Sequence, residues 1–186
     1  MKLRLATLTL FVFVASAYAQ KIQGFAESEN VITSTAATPQ LNLLASGTLT
    51  GKVGWKFWGL TSRTWSEGYI GPTYAPTSWL TLSAGAGAET GGARFGWSAS
   101  GKKRKLFYAV VQEWGYGCGW WHKNVATYDL TSRVSAGVWN EYGKGTGPTV
   151  NVRVIGELRP YVTLLASKTG TMAIVGATYS FSIGHK

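Results

Sequence analysis

The chain has a single cysteine, two histidines and five prolines in 186 residues, and only 14% of it is Asp, Glu, Lys or Arg. A lone Cys118 excludes an internal disulfide, the staple that small exported domains with thin cores usually rely on. One thiol and two imidazoles, His122 and His185, are too few for a structural zinc centre built by this chain alone. The charged fraction lies well below the roughly 25% usual for soluble domains. Helical periodicity is also missing beyond the N-terminal segment, and no run reaches the roughly 20 apolar residues of a spanning helix.

Catalytic patterns are equally scarce. Glu67, Glu89, Glu113 and Glu141 have no spacing that would pair two carboxylates for glycoside hydrolysis. The serines lack a nucleophile-elbow context. GKGTG, residues 143–147, lacks the spacing and the following helix of a phosphate loop and reads as a turn. The expectation is a protein that is not an enzyme and needs no metal or cofactor.

The N-terminus has a recognisable export pattern. Lys2 and Arg4 precede LATLTLFVFVASAYA, which ends in small residues at Ala17 and Ala19. A charged segment, a short apolar segment and an A-x-A site predict a secretion signal over residues 1–19. Its removal leaves 167 of 186 residues and a formal charge of +8 in place of +10. Residues 20–45 are polar and weakly patterned, and are expected to form an N-terminal arm or a first strand.

Glycine and aromatics are abundant: 24 Gly, nine Trp and nine Tyr. Two-residue alternation runs through most of the chain after residue 46. Leu80, Leu82, Ala84, Ala86 and Ala88 alternate with Thr81, Ser83, Gly85, Gly87 and Glu89. Ala93, Phe95, Trp97 and Ala99 alternate with Arg94, Gly96, Ser98 and Ser100, after a short ETGG turn. Val134, Ala136 and Val138 face away from Arg133, Ser135 and Gly137; Val150, Val152 and Val154 face away from Asn151 and Arg153. The closing strand sets Ala173, Val175, Ala177, Tyr179, Phe181 and Ile183 against Gly176, Thr178, Ser180 and Ser182. Period two with short turns predicts an antiparallel meander, and closure into a barrel removes its edges.

Alternation alone leaves two environments open for the apolar face: a protein core, in a soluble secreted β-sandwich or barrel that binds a ligand, or lipid. The small, sparsely charged second face suits a narrow lumen, and the tryptophans near strand ends suit an aromatic girdle. The lumen charges expected from facing are Lys52, Lys56, Glu89, Arg94, Glu113, Arg133, Glu141 and Arg153. With Arg94, Arg133 and Arg153 inside, an open lumen would favour a small anionic solute. Lys102, Lys103, Arg104 and Lys105 form a basic hairpin tip, read as a solvated loop or a binder of phosphate headgroups; an exported chain is not expected to bind nucleic acid.

From about residue 46 to 183 the pattern resembles the small, porin-like outer-membrane β-barrel proteins of Gram-negative bacteria. Tyr179 and Phe181 carry the aromatic C-terminal strand of that class, although Ser182–Lys186 follow them. The resemblance implies an up-and-down transmembrane barrel over 46–186, with an even number of strands and both termini in the periplasm. Alternating segments along the whole chain amount to eight strands, or ten if residues 66–75 and 121–130 each form one. It also implies an outer-membrane location, lipid as partner, and a structural role or passage of a small solute.

Overall fold

The computed structural model describes residues 21–168 and 170–184. The expected signal over residues 1–19 and His185 lie outside the described residues. Twelve strands follow one another: β1 (Ile22–Ile32), β2 (Ala37–Thr50), β3 (Val53–Ser62), β4 (Ser66–Thr77), β5 (Leu80–Glu89) and β6 (Gly92–Lys103), then β7 (Leu106–Gly115), β8 (Gly119–Asp129), β9 (Val134–Glu141), β10 (Gly145–Val152), β11 (Leu158–Ser167) and β12 (Gly170–Ile183). Each pairs antiparallel with its sequence neighbours, and β1 closes on β12, with Ile22 opposite Ile183 and Ile32 opposite Ala173. Every strand thus has a hydrogen-bonded neighbour on both sides and the sheet has no open edge, the condition for crossing a bilayer as sheet.

The all-β, antiparallel barrel is the expected class, but the strand number is twelve rather than eight to ten. Residues 66–77 and 119–129 are strands, and the polar stretch before residue 46 supplies β1 and most of β2 in place of a single arm or strand. β1 escapes a hydropathy reading for a physical reason. Its outward positions are Gly24, Ala26, Ser28 and Asn30, small or polar, and its inward positions include Glu27 and Glu29, so neither parity is apolar.

The register assigns every strand's faces. Leu41, Leu43, Leu82, Phe95, Trp97, Val138, Val162, Leu164, Val175 and Tyr179 stand on the outer wall and are exposed. The alternating apolar face is therefore the outside of a closed barrel and not the core of a sandwich. In β7, LFYAVVQEWG, apolar residues occupy both parities; the register sets Phe107, Ala109, Val111 and Glu113 inward and Tyr108, Val110, Gln112 and Trp114 outward. The tryptophans divide. Trp114 and Trp120 pair on the outer wall at one end of the barrel, and Phe95 stacks beside Trp114 at 6.4 Å. Trp58, Trp121 and Trp139, expected in the girdle, instead face the lumen, on the parity of Glu67, Glu113 and Lys123.

The hairpin turns are short at both ends, the longest joining β10 to β11 through residues 153–157. The termini share one end with the turns after β2, β4, β6, β8 and β10; the turns after β1, β3, β5, β7, β9 and β11 make the other.

Candidate functional site

The inward face of the sheet is rich in glycine, and several of these glycines make space for a neighbour. A Cβ at Gly115 would lie 2.0 Å from a carboxylate oxygen of Glu89, and one at Gly96 would lie 2.8 Å from Cγ of Glu113. At Gly176 it would meet the Tyr161 ring at 2.6 Å. Missing side chains on the barrel wall are thus the space in which charged and aromatic side chains fold down.

Two polar knots occupy that space, both in the half of the lumen away from the termini. In the first, Arg94 on β6 meets three carboxylates from three other strands. Its Nη1 lies 2.8 Å from Glu67 of β4 and 2.6 Å from Glu89 of β5, and its Nη2 pairs with Glu113 of β7. All four side chains are almost fully buried. The carboxylates have further donors: the Trp65 indole reaches Glu67 at 2.7 Å, and the backbone N–H groups of Gly117 and Cys118 reach Glu89 at 2.5 and 3.0 Å. The β7–β8 turn is thereby tied down onto the knot. Cys118 sits in that turn with Arg94 Nη1 donating to its Sγ at 3.2 Å; burial and the adjacent Glu89 carboxylate push its thiol above the usual range.

The second knot spans the opposite wall. Tyr161 of β11 donates to Glu29 of β1 at 2.9 Å, and the Trp139 indole of β9 donates to Glu141 at 3.0 Å. Lys144, in the β9–β10 turn, lies 2.7 Å from Glu141 and 3.7 Å from Glu29, linking strands that are not neighbours in the sheet. Burial works against its charge, but the two carboxylates outweigh it and hold its pKa above the ordinary lysine range. Asn42 and Thr178 donate to Glu27 at 2.8 and 3.2 Å, and Lys123 Nζ stands 3.9 Å over the Trp139 ring. Beneath lie Leu165, Ile174 and Thr163, none of them exposed. Together the knots narrow this half of the lumen.

The half at the termini differs. Its lumen is lined by small polar groups such as Ser46, Ser83, Ser98 and Ser100, and Lys56 reaches across from β3 to Ser98 at 2.5 Å. A hollow of about 520 Å³ opens here beside Gln23, Phe25, Ser46 and Ser180. At the mouth, Lys102, Arg133, Arg153 and Arg159 surround a cleft of about 30 Å³. Lys102 is 2.6 Å from Asp129 and Arg159 is 3.4 Å from Glu157; among the described residues Arg133 and Arg153 form no ion pair.

The result is an axial separation of charge. Lys21, Lys52, Lys102, Lys103, Arg104, Lys105, Arg133, Arg153 and Arg159 lie at the terminal end, against Asp129 and Glu157. The six other described carboxylates, Glu27, Glu29, Glu67, Glu89, Glu113 and Glu141, face inward in the opposite half, where Arg63, Arg94, Lys123, Lys144 and Lys168 offset most of their charge.

The structure places the sequence-derived charges in three settings. Glu89, Arg94 and Glu113 come together in one knot; Glu141 joins the other. Lys56 crosses the lumen between them and the mouth. Arg133 and Arg153 sit at the mouth itself, joined by an Arg153 N–H to Arg133 carbonyl bond of 2.7 Å. Lys52 lies outside the lumen, in the β2–β3 turn, where its Nζ donates to the Pro76 carbonyl at 3.0 Å, because the chain turns before its side chain can follow the inward parity. Glu27, Glu29, Glu67, Lys123, Lys144 and Arg159 also belong to the site, beyond the lumen charges expected from facing. The Glu-x-Glu at 27 and 29 has the spacing that places both on one strand face, and Glu67 lies two residues from the Trp65 that binds it.

No family model and no curated protein matches the chain. Among solved structures it is similar to the KdgM porin, at 16% identity and a TM-score of 0.60, over 84% of this chain and 99% of that one. The same figures hold for the KdgM porin in complex with disordered oligogalacturonate. The NanC porin in a rhombohedral crystal form matches at 11% identity and a TM-score of 0.53, over 85% of this chain and 98% of that one. At these identities the likeness is one of fold: the chain has a porin-like barrel.

Proposed function

We propose that this barrel sits in a Gram-negative outer membrane and passes small anionic solutes. The observation that carries the reading is the mouth at the terminal end, where guanidinium groups without full neutralisation surround an entry to a polar lumen. Cations at a low-dielectric constriction concentrate anions locally and repel cations. The outer wall supports the membrane setting, since its exposed apolar side chains need lipid against them. The neighbouring porin solved with oligogalacturonate, a polyanion, is in keeping with an anionic cargo. Arg94 contributes little to selectivity, because three carboxylates already surround it. The knots make the passage narrow, which suits small solutes over general diffusion.

The test is selectivity across a planar bilayer with a salt gradient. Wild-type barrels should give a reversal potential of anionic sign. R133Q/R153Q/R159Q should move it toward that of a neutral pore, while Arg94→Gln/Glu113→Gln, which leaves the net charge of the knot unchanged, keeps the preference in place. An unchanged reversal potential in the triple variant would remove the mouth from the mechanism.

A further inference from the structure

The basic hairpin tip between β6 and β7 is not absorbed by passage through the lumen. Of its four cations only Lys102 turns inward, to Asp129. Lys103 is opposite Leu106 on the outer wall, and among the described residues neither it nor Arg104 nor Lys105 forms an ion pair. All three are exposed. Aromatic rings stand beneath them. Lys103 Nζ is 5.0 Å from the centre of the Trp79 ring, Lys105 Nζ is 5.9 Å from that of Tyr128, and Trp79 meets Tyr108 edge-on at 6.5 Å. Tyr108 and Tyr128 face outward, so the ring layer belongs to the wall and not to the lumen.

The backbone adds an independent observation. Among the described residues every position with positive φ is glycine except Arg104, at 56°. A non-glycine residue there carries a conformational cost of about 1 kcal/mol or more, and four other turns of this barrel place Gly51, Gly91, Gly119 or Gly143 at such a position. At this one tip a strained turn retains a cation.

We propose that Lys103, Arg104 and Lys105, above Trp79, Tyr108 and Tyr128, form a binding site for the headgroup phosphate of an anionic phospholipid in the leaflet at the terminal end. The rings fix the depth of the site at the interface, as aromatic side chains do in membrane proteins. The ammonium and guanidinium groups supply a charge that no acid on the outer wall opposes. A phospholipid meets both features at once, with phosphate over the cations and acyl chains along the exposed wall formed by Leu82 and Leu106. This proposal rests on the barrel being a membrane protein.

The experiment measures the association of spin-labelled phosphatidylglycerol and of spin-labelled phosphatidylcholine with the full barrel in phosphatidylcholine vesicles. Wild type should prefer phosphatidylglycerol, and K103Q/R104Q/K105Q should lose about fivefold of that preference for each cation that contacts the lipid. Lys168→Gln, at the opposite end, serves as the charge control and should keep it. A heat-dependent mobility shift reports folding of each variant. If wild type inserts and shifts but shows no preference, or the triple variant keeps it, the lipid site is refuted while the membrane barrel stands. If wild type neither inserts nor shifts, both readings fall. If soluble glycerophosphoglycerol, the same headgroup without acyl chains, binds the wild-type tip as tightly as phosphatidylglycerol does, the site belongs to a free anion and the proposal is overturned.

Discussion

Removing the central cation of the first knot should unmake it in a measurable way. In Arg94→Gln, three carboxylates drawn from β4, β5 and β7 lose a shared partner that lies 2.8 Å from Glu67 and 2.6 Å from Glu89. At an effective dielectric constant of about 20, each such contact is worth roughly 6 kcal/mol of attraction. Repulsion among the carboxylates and the cost of desolvating all four groups cancel much of that. Breaking a buried pair by deleting one member typically costs about 3–5 kcal/mol, and that is the expected loss of stability. It should not fall evenly. Glu67 keeps the Trp65 indole and Glu89 keeps two backbone N–H donors, whereas Glu113 loses its paired guanidinium. Arg94→Gln/Glu113→Gln should therefore recover a substantial part of the loss. Urea unfolding of the reconstituted barrel, followed by tryptophan fluorescence and by the heat-dependent mobility shift, measures both. A loss below about 1 kcal/mol, the scale of an exposed pair, would refute the argument that the knot is a buried, mutually dependent unit. So would a double variant less stable than the single one.

Other expectations follow from the same geometry. Gly115→Val should destabilise by about 1–3 kcal/mol, the usual cost of overpacking, because its side chain would occupy the place of the Glu89 carboxylate; a wild-type unfolding midpoint would contradict the space-making role of the inward glycines. Cys118 should react slowly with iodoacetamide at neutral pH and speed up only above the usual thiol range, since burial holds it neutral; denatured chain supplies the reference rate. Lys144 has a folded-state pKa raised above its ordinary 10.5. Its stabilising contribution is thus complete below that ordinary value and is lost as pH rises through the folded one. Lys144→Met should accordingly remove the alkaline part of the stability profile and leave its shape near neutrality unchanged.

Sequence patterning carries the barrel where the outer wall is made of Leu, Val, Ala and aromatics, as in β5, β6, β9 and β12. It fails at β1, whose outward Ser28 and Asn30 give lipid-facing positions no apolar signature. It also separates Arg94 from the mouth arginines only once register is known. Arg94, Arg133 and Arg153 share an inward parity, yet the first sits among three glutamates and the others at the rim. Parity is a property of one strand; height along the axis depends on how strands stagger against each other. The partners of Lys144 illustrate the same limit, since Glu29 lies more than a hundred residues away and reaches it only across a closed barrel. Glycine in strands reads from sequence as bend or close approach, and this barrel has a third use for it, in which Gly96, Gly115 and Gly176 are the vacant half of an interlocking pair.

Because unmatched positive groups gather at one rim, while cations in the far half offset most of the carboxylates there, the barrel has a front and a back electrically. An anion driven inward from the basic rim enters from a reservoir that the rim itself enriches. Driven the other way, it must first pass the narrow, nearly neutral half with no such enrichment behind it. A single inserted molecule would then conduct unequally under equal and opposite voltages, as a diode does, and the sense of that inequality would report which way round the chain had entered the membrane.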